Sequence, residues 1–94
     1  MTRARVDDNQ TAIVAALRQV GATVQILSAV GRGCPDLLAG FRGVNTLLEV
    51  KDAAKPPSAR TLTPDEREWH DQWRGQVCVV QTADEALAAI GATV

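Results

Sequence analysis

The run at 35–51, PDLLAGFRGVNTLLEVK, restricts the fold more than any other part of the chain. Two apolar, β-rich segments flank the turn FRG, which is the pattern of an antiparallel hairpin. With the turn centred on Arg42-Gly43, Phe41 faces Val44, and counting back along both arms sets Asp36 opposite Glu49. Opposed residues share a face, with β-carbons about 5 Å apart. Lys51 stands two positions beyond Glu49, so period-two alternation puts it on that same face, while Val50 points to the other, into the core. A charge inside an apolar strand is costly unless it is paired, hydrated or bound to a metal.

The flanking sequence fits around this hairpin. From Asn9 to Val20 the apolar residues Ile13, Val14, Leu17 and Val20 recur at helical spacing, with Asp7 or Asp8 as cap and Gly21 as stop. The segment TVQILSAV at 23–30 reads as a strand. Residues 52–63 form a loop, because Pro56 and Pro57 cannot join a central ladder. Thr63, Pro64 and Glu66 then make a strong helix start: an N-cap, a first-turn proline and a capping box. That helix carries Trp69 and Trp73 on one face, packed into a core or a subunit interface, and stops at Gly75. VCVVQT at 77–82 is a further strand. A last helix starts at Thr82 or Asp84, turns Ala86, Leu87 and Ile90 inward, and ends at Gly91. The order is α-β-β-β-α-β-α, an α/β sandwich with a mixed sheet.

Composition narrows the class. The 94 residues make a single domain with room for one modest core, built from aliphatic residues because aromatics are only 3%. A formal net charge of −1 does not advertise a nucleic-acid binder, although eleven acids and ten bases can still be segregated in space. The start, MTRARVDDNQ, lacks the apolar centre of a signal peptide, and no apolar run reaches membrane-spanning length. A cytosolic protein that does not engage membranes is expected. Cys34, Cys78 and His70 have neither the number for a disulfide framework nor the spacing of a zinc site.

Two carboxylates set against each other repel unless something positive lies between them. Mg²⁺ meets that need, since it takes hard oxygen ligands and often only one or two carboxylates, completed by water and phosphate oxygens. Asp36 and Glu49 are therefore candidate metal ligands, with the Val50 backbone carbonyl as another. Lys51 is a candidate to hold an attacking water or to neutralise charge on a phosphate. The same pattern also fits a solvated hairpin face with a cross-strand lysine–carboxylate pair. Replacing Asp36 with Ala is expected to leave folding nearly intact, because it removes a like-charge neighbour.

Pro35-Asp36 followed by Glu49-Val50-Lys51 resembles the PD-(D/E)XK nuclease superfamily. The wider pattern, VGRGCPDLLAGFRGVNTLLEVKD and then LTPDEREWHDQW, resembles its small stand-alone VRR-NUC members from phages and bacteria, over nearly the whole chain. The resemblance implies a restriction-endonuclease-like core and metal-dependent cleavage of DNA phosphodiester bonds that leaves a 5′-phosphate. Asp36 and Glu49 would be Mg²⁺ or Mn²⁺ ligands and Lys51 the catalytic lysine. It further implies branched or structured DNA as substrate, such as four-way junctions or flaps, and a homodimer. The chain departs from the family pattern in two places. The usual first-helix glutamate is missing where Ala12 precedes Ile13, leaving Asp8, Asn9 or Gln10 as substitutes. Glu66 stands where a glutamine is common, and its capping role accounts for it better than a site role.

Around the centre, Arg32 between Gly31 and Gly33 is a candidate anion contact beside a tight turn. Lys55 and Arg60, on a proline-stiffened loop, can track a DNA backbone, and Arg3 with Arg5 can form a basic arm. Trp69 and Trp73 have a second use as stacking platforms for unpaired bases. The rival to a nuclease is a module of the same fold that holds structured DNA without cutting it.

Overall fold

A computed structural model describes residues 8–92; Asp7, Arg3 and Arg5 lie outside them. Helix α1 (Gln10–Gln19) leads into the antiparallel meander β1 (Thr23–Ile26), β2 (Leu37–Phe41) and β3 (Val44–Val50). A crossover through the single-turn 3₁₀ segment Pro57–Ala59 and helix α2 (Pro64–Gln72) brings β4 (Cys78–Val80) in parallel beside β3, and α3 (Ala83–Ala89) follows. The sheet order is β1-β2-β3-β4, so the mixed sheet and the element order are as the sequence predicts. No helix among the described residues is long and apolar enough to cross a membrane.

The hairpin forms in the predicted register. Phe41 pairs with Val44 and Leu37 with Leu48. The turn works because Arg42 and Gly43 both take positive φ, at 52° and 79°, which matches the twist of the arms. One face of the sheet carries Leu37, Ala39, Leu48, Val50 and Val80, all essentially sealed from solvent. Ile13, Val14 and Leu17 of α1, with Ala86 of α3 and the following Ile90, complete that core. Burying a leucine or isoleucine contributes about 1.5–3 kcal/mol.

Several boundaries differ from expectation, each for a local reason. The strand predicted over 23–30 stops at Ile26: Leu27 still donates to the Asp36 carbonyl at 2.7 Å, but the chain then turns, the Val30 N–H donating to the Leu27 carbonyl at 2.9 Å. The N-cap position of α1 is Asn9, not Asp8, and its side chain does not cap the helix. Val20, expected on the buried stripe, is 39% exposed, because the helix has already ended there. Helix α2 ends at Gln72 rather than Gly75, and none of its residues is fully buried. The two tryptophans stack on each other at 4.5 Å, and Trp73 is 44% exposed, so they are not core. Gln76 has an unforeseen role, its amide accepting from the Leu47 N–H at 2.7 Å and donating to the Leu47 carbonyl, thereby extending the β3–β4 ladder.

Candidate active site

The hairpin delivers its charges to one place, at the end of β3 on the face away from the aliphatic core. Val50 is sealed in the core, and its N–H donates to Asp36 Oδ2 at 2.7 Å. That bond ties the Asp36 carboxylate to the strand beside Glu49. Glu49 is only 2% exposed, and its Oε1 is buried without a hydrogen-bond partner. Lys51 is also buried, with Nζ at 3.8 Å from Glu49 Oε2. A water-facing hairpin edge does not bury Glu49 and Lys51 in this way, so the solvated-face alternative does not hold, although Asp36 is only half-buried.

Helix α2 completes the cluster. Glu66 Oε1 accepts from Lys51 Nζ at 2.7 Å and from the Thr63 N–H at 2.9 Å, while Thr63 Oγ1 accepts from the Glu66 N–H. The capping box and the site contact are therefore one arrangement. Fixing the helix start fixes the carboxylate that grips the lysine. The sequence allowed either role separately, and only the distance between Lys51 and the helix start could show that both occur.

The electrostatics follow from this crowding. Burial, then the charge of Asp36 and a hydrogen bond to it, then the charge of Glu66, push the Glu49 carboxyl up to about 10, with Lys51 opposing. Burial works against the Glu66 charge, but hydrogen bonds from Lys51 and the Thr63 amide outweigh it and hold its carboxyl below the usual range. Burial, then Glu49 and Asp36, raise the Cys34 thiol, which makes it a poor nucleophile. His70, with its Nε2 buried and unpartnered, is pushed down by burial while the charges of Glu66 and Asp71 pull it up.

A buried and a half-buried carboxylate in contact, the buried one with an orphaned oxygen, form a donor set that suits a hard divalent cation as well as a shared proton. The residues present therefore fit the ion. Among the described residues no group of three or more His, Cys, Asp or Glu side chains converges for metal binding, so protein carboxylates supply only part of a coordination shell. Of the three first-helix candidates, Asp8 is exposed. Asn9 reaches the site strand, donating from Nδ2 to the Lys51 carbonyl at 3.0 Å and to the Gln81 carbonyl at 2.8 Å. Gln10 is buried and donates to Ser28 Oγ at 3.2 Å, on the β1 side. Lys55 and Arg60 sit half-buried on the loop between Lys51 and α2, and Arg32 is exposed on the turn before Pro35.

Gly33 locks that turn to α2. Its φ is +80°, and a Cβ there would lie 2.3 Å from the Asp65 carbonyl oxygen. Gly33→Ala is expected to lower stability by about 2–4 kcal/mol, combining left-handed strain with a backbone collision. Urea unfolding checks this, and a loss below 1 kcal/mol would mean that the turn relaxes away from α2 without consequence.

No family model matches the chain, and neither does any curated protein sequence. Among solved structures, the chain is similar to one described as a VRR_NUC domain, at 31% sequence identity and a TM-score of 0.63, over 87% of this chain and 89% of that one. Identity of that order, sustained across nearly the full length of both chains on a shared α/β fold, shows that this chain belongs to the VRR-NUC domain family.

Proposed function

We propose that this chain is a divalent-metal-dependent endodeoxyribonuclease acting on branched or structured DNA, with Asp36, Glu49 and Lys51 as its catalytic residues. Membership of a nuclease-domain family supports the reaction class. The observation that carries the reading is the cluster itself: a buried Glu49 with an orphaned oxygen, touching a half-buried Asp36 and neighbouring a buried lysine. Mg²⁺ or Mn²⁺ would be held by Asp36 and Glu49, with the Val50 carbonyl as a further donor. Bound there, the ion would supply Lewis-acid polarisation of the phosphodiester.

The chain's own residues do the rest. Lys51 holds the water that adds to phosphorus in line with the departing 3′ oxygen, and its charge offsets the negative charge that builds on the phosphate. The P–O3′ bond breaks, leaving a 5′-phosphate and a 3′-hydroxyl. Glu66 positions Lys51, while Asn9 pins the Lys51 backbone carbonyl. Lys55, Arg60 and Arg32 contact the DNA backbone or the bases around the cut, each phosphate contact adding salt dependence. A homodimer would present two such centres to two strands of a junction.

One observation favours the rival reading, a module that binds structured DNA without cutting. Among the described residues no group of three or more His, Cys, Asp or Glu side chains is arranged to hold a metal, Glu66 being engaged with Lys51. The two readings separate in a cleavage assay on four-way junction, flap, single-stranded and linear duplex DNA, with Mg²⁺, Mn²⁺ or chelator. Metal-dependent cutting of the junction or flap above linear duplex is expected. Salt-sensitive junction binding without cutting at any metal concentration would select the binding module.

A further inference from the structure

Beside the carboxylate–lysine cluster lies a second feature that the proposed chemistry does not use. Arg32, Asp65, Glu68, Trp69 and Gln72 line a groove of about 290 Å³ between the 31–33 turn and α2. Four of these five residues recur at i, i+3, i+4 and i+7 and so form one stripe along the helix. The turn opposite is unusual. Gly31, Arg32 and Gly33 take three successive positive φ values, 75°, 57° and 80°, closed by the Cys34 N–H on the Gly31 carbonyl at 3.1 Å. A non-glycine residue in this left-handed region is uncommon. Gly33 seats the turn directly on the Asp65 backbone, so the groove is preformed rather than assembled on binding.

Its chemistry selects among the parts of a nucleic acid. Trp69 offers an aromatic wall backed by Trp73, stacked at 4.5 Å with the rings 20° apart. Arg32 and Gln72 supply hydrogen-bond donors, while Asp65 and Glu68 supply acceptors. The charged groups sum to one excess negative charge, which disfavours a phosphate. A nucleobase carries no charge, has a π-face, and presents both donors and acceptors along its edge. The volume sits at the small end of ligand pockets, the size for a single ring system. The groove also adjoins the cluster: Asp65 precedes the Glu66 that grips Lys51, and Gly33 lies three residues before Asp36.

We infer that this groove receives one unpaired nucleobase next to the phosphate at the Asp36–Glu49–Lys51 centre, so that the enzyme reads a splayed nucleotide as the mark of structured DNA. The inference rests on the nuclease reading for the identity of the ligand, but its test needs no cleavage. Trp73→Phe leaves Trp69 as the only tryptophan of the chain. In that background, with chelator present, a ten-nucleotide dC oligonucleotide is titrated against a ten-unit abasic oligonucleotide with the same phosphates. Quenching of Trp69 fluorescence by the first and not the second is expected.

Trp69→Leu, in the otherwise native chain, should bind the dC oligonucleotide about 30-fold more weakly, the usual loss for one stacked base. Arg32→Ala, a change at an exposed position, should weaken it in the same direction without disturbing the fold. Equal quenching by the abasic strand, or unchanged affinity in both variants, would overturn the inference. Base-dependent quenching in a protein that never cuts DNA would leave the groove standing and remove only the nuclease reading.

Discussion

Asp36→Asn is expected to abolish metal-dependent cleavage while leaving the fold intact. The neighbours of the Asp36 carboxylate include the Val50 N–H at 2.7 Å on Oδ2 and the Glu49 carboxyl. Asparagine can serve both, its oxygen accepting from Val50 and its amide donating to Glu49, while removing the negative charge that a cation requires. Cleavage should fall below detection, and Mn²⁺ should no longer raise the melting temperature. Asp36→Ala is a less clean variant than the like-charge argument from sequence suggests. It strands the Val50 N–H in the interior, a cost of about 1–3 kcal/mol set against the relief of repulsion. Full cleavage by the Asn variant, or metal stabilisation unchanged from wild type, would remove Asp36 from the centre.

The second large effect is on stability. Glu49 titrates in the folded chain at about 10, above the ordinary carboxylate value of 4.5. Between those values the folded state holds a proton that the unfolded state has released. The stability this group contributes is therefore fully present below about 4.5 and is lost as pH rises toward 10. The slope is at most about 1.4 kcal/mol per pH unit for one proton. Metal-free wild type should accordingly weaken between pH 5 and 9 (a window of about four units). Glu49→Gln, which mimics the protonated acid, should flatten that slope and melt higher than wild type at alkaline pH. Adding Mg²⁺ or Mn²⁺ at pH 8 should rescue wild type, because a cation replaces the proton, and should leave the variant unchanged. Parallel pH profiles for the two proteins would show that Glu49 is ionised and satisfied without a cation.

Much of this site was legible in the sequence because a tight turn propagates its register. With Arg42-Gly43 as the turn, alternation alone places Asp36, Glu49 and Lys51 together, and the pairing of Phe41 with Val44 and Leu37 with Leu48 agrees. The capping box at Thr63 and Glu66 was equally readable, being a contact between residues three apart. What the sequence did not reveal are contacts made across long separations. Glu66 meets Lys51 from fifteen residues away, and Asn9 meets it from forty-two, because the crossover loop and the first helix pack back onto the end of β3. Nothing in local periodicity encodes those distances. The Arg32–Trp69 groove was hidden for the same reason, since each half alone reads as an ordinary turn and an ordinary amphipathic helix.

We propose that Lys51, held between Glu49 and Glu66, acts on a phosphodiester bound at this cluster. The most direct test is the single-turnover cleavage rate of a four-way junction in Mn²⁺ by wild type and by Lys51→Ala, with junction affinity measured in chelator for both. The expected rate is lower by about 10²–10³-fold, the usual scale for removing one transition-state charge partner, at nearly unchanged affinity. An undiminished rate in Lys51→Ala would contradict this role, and would assign the buried lysine to holding two carboxylates in place and nothing more.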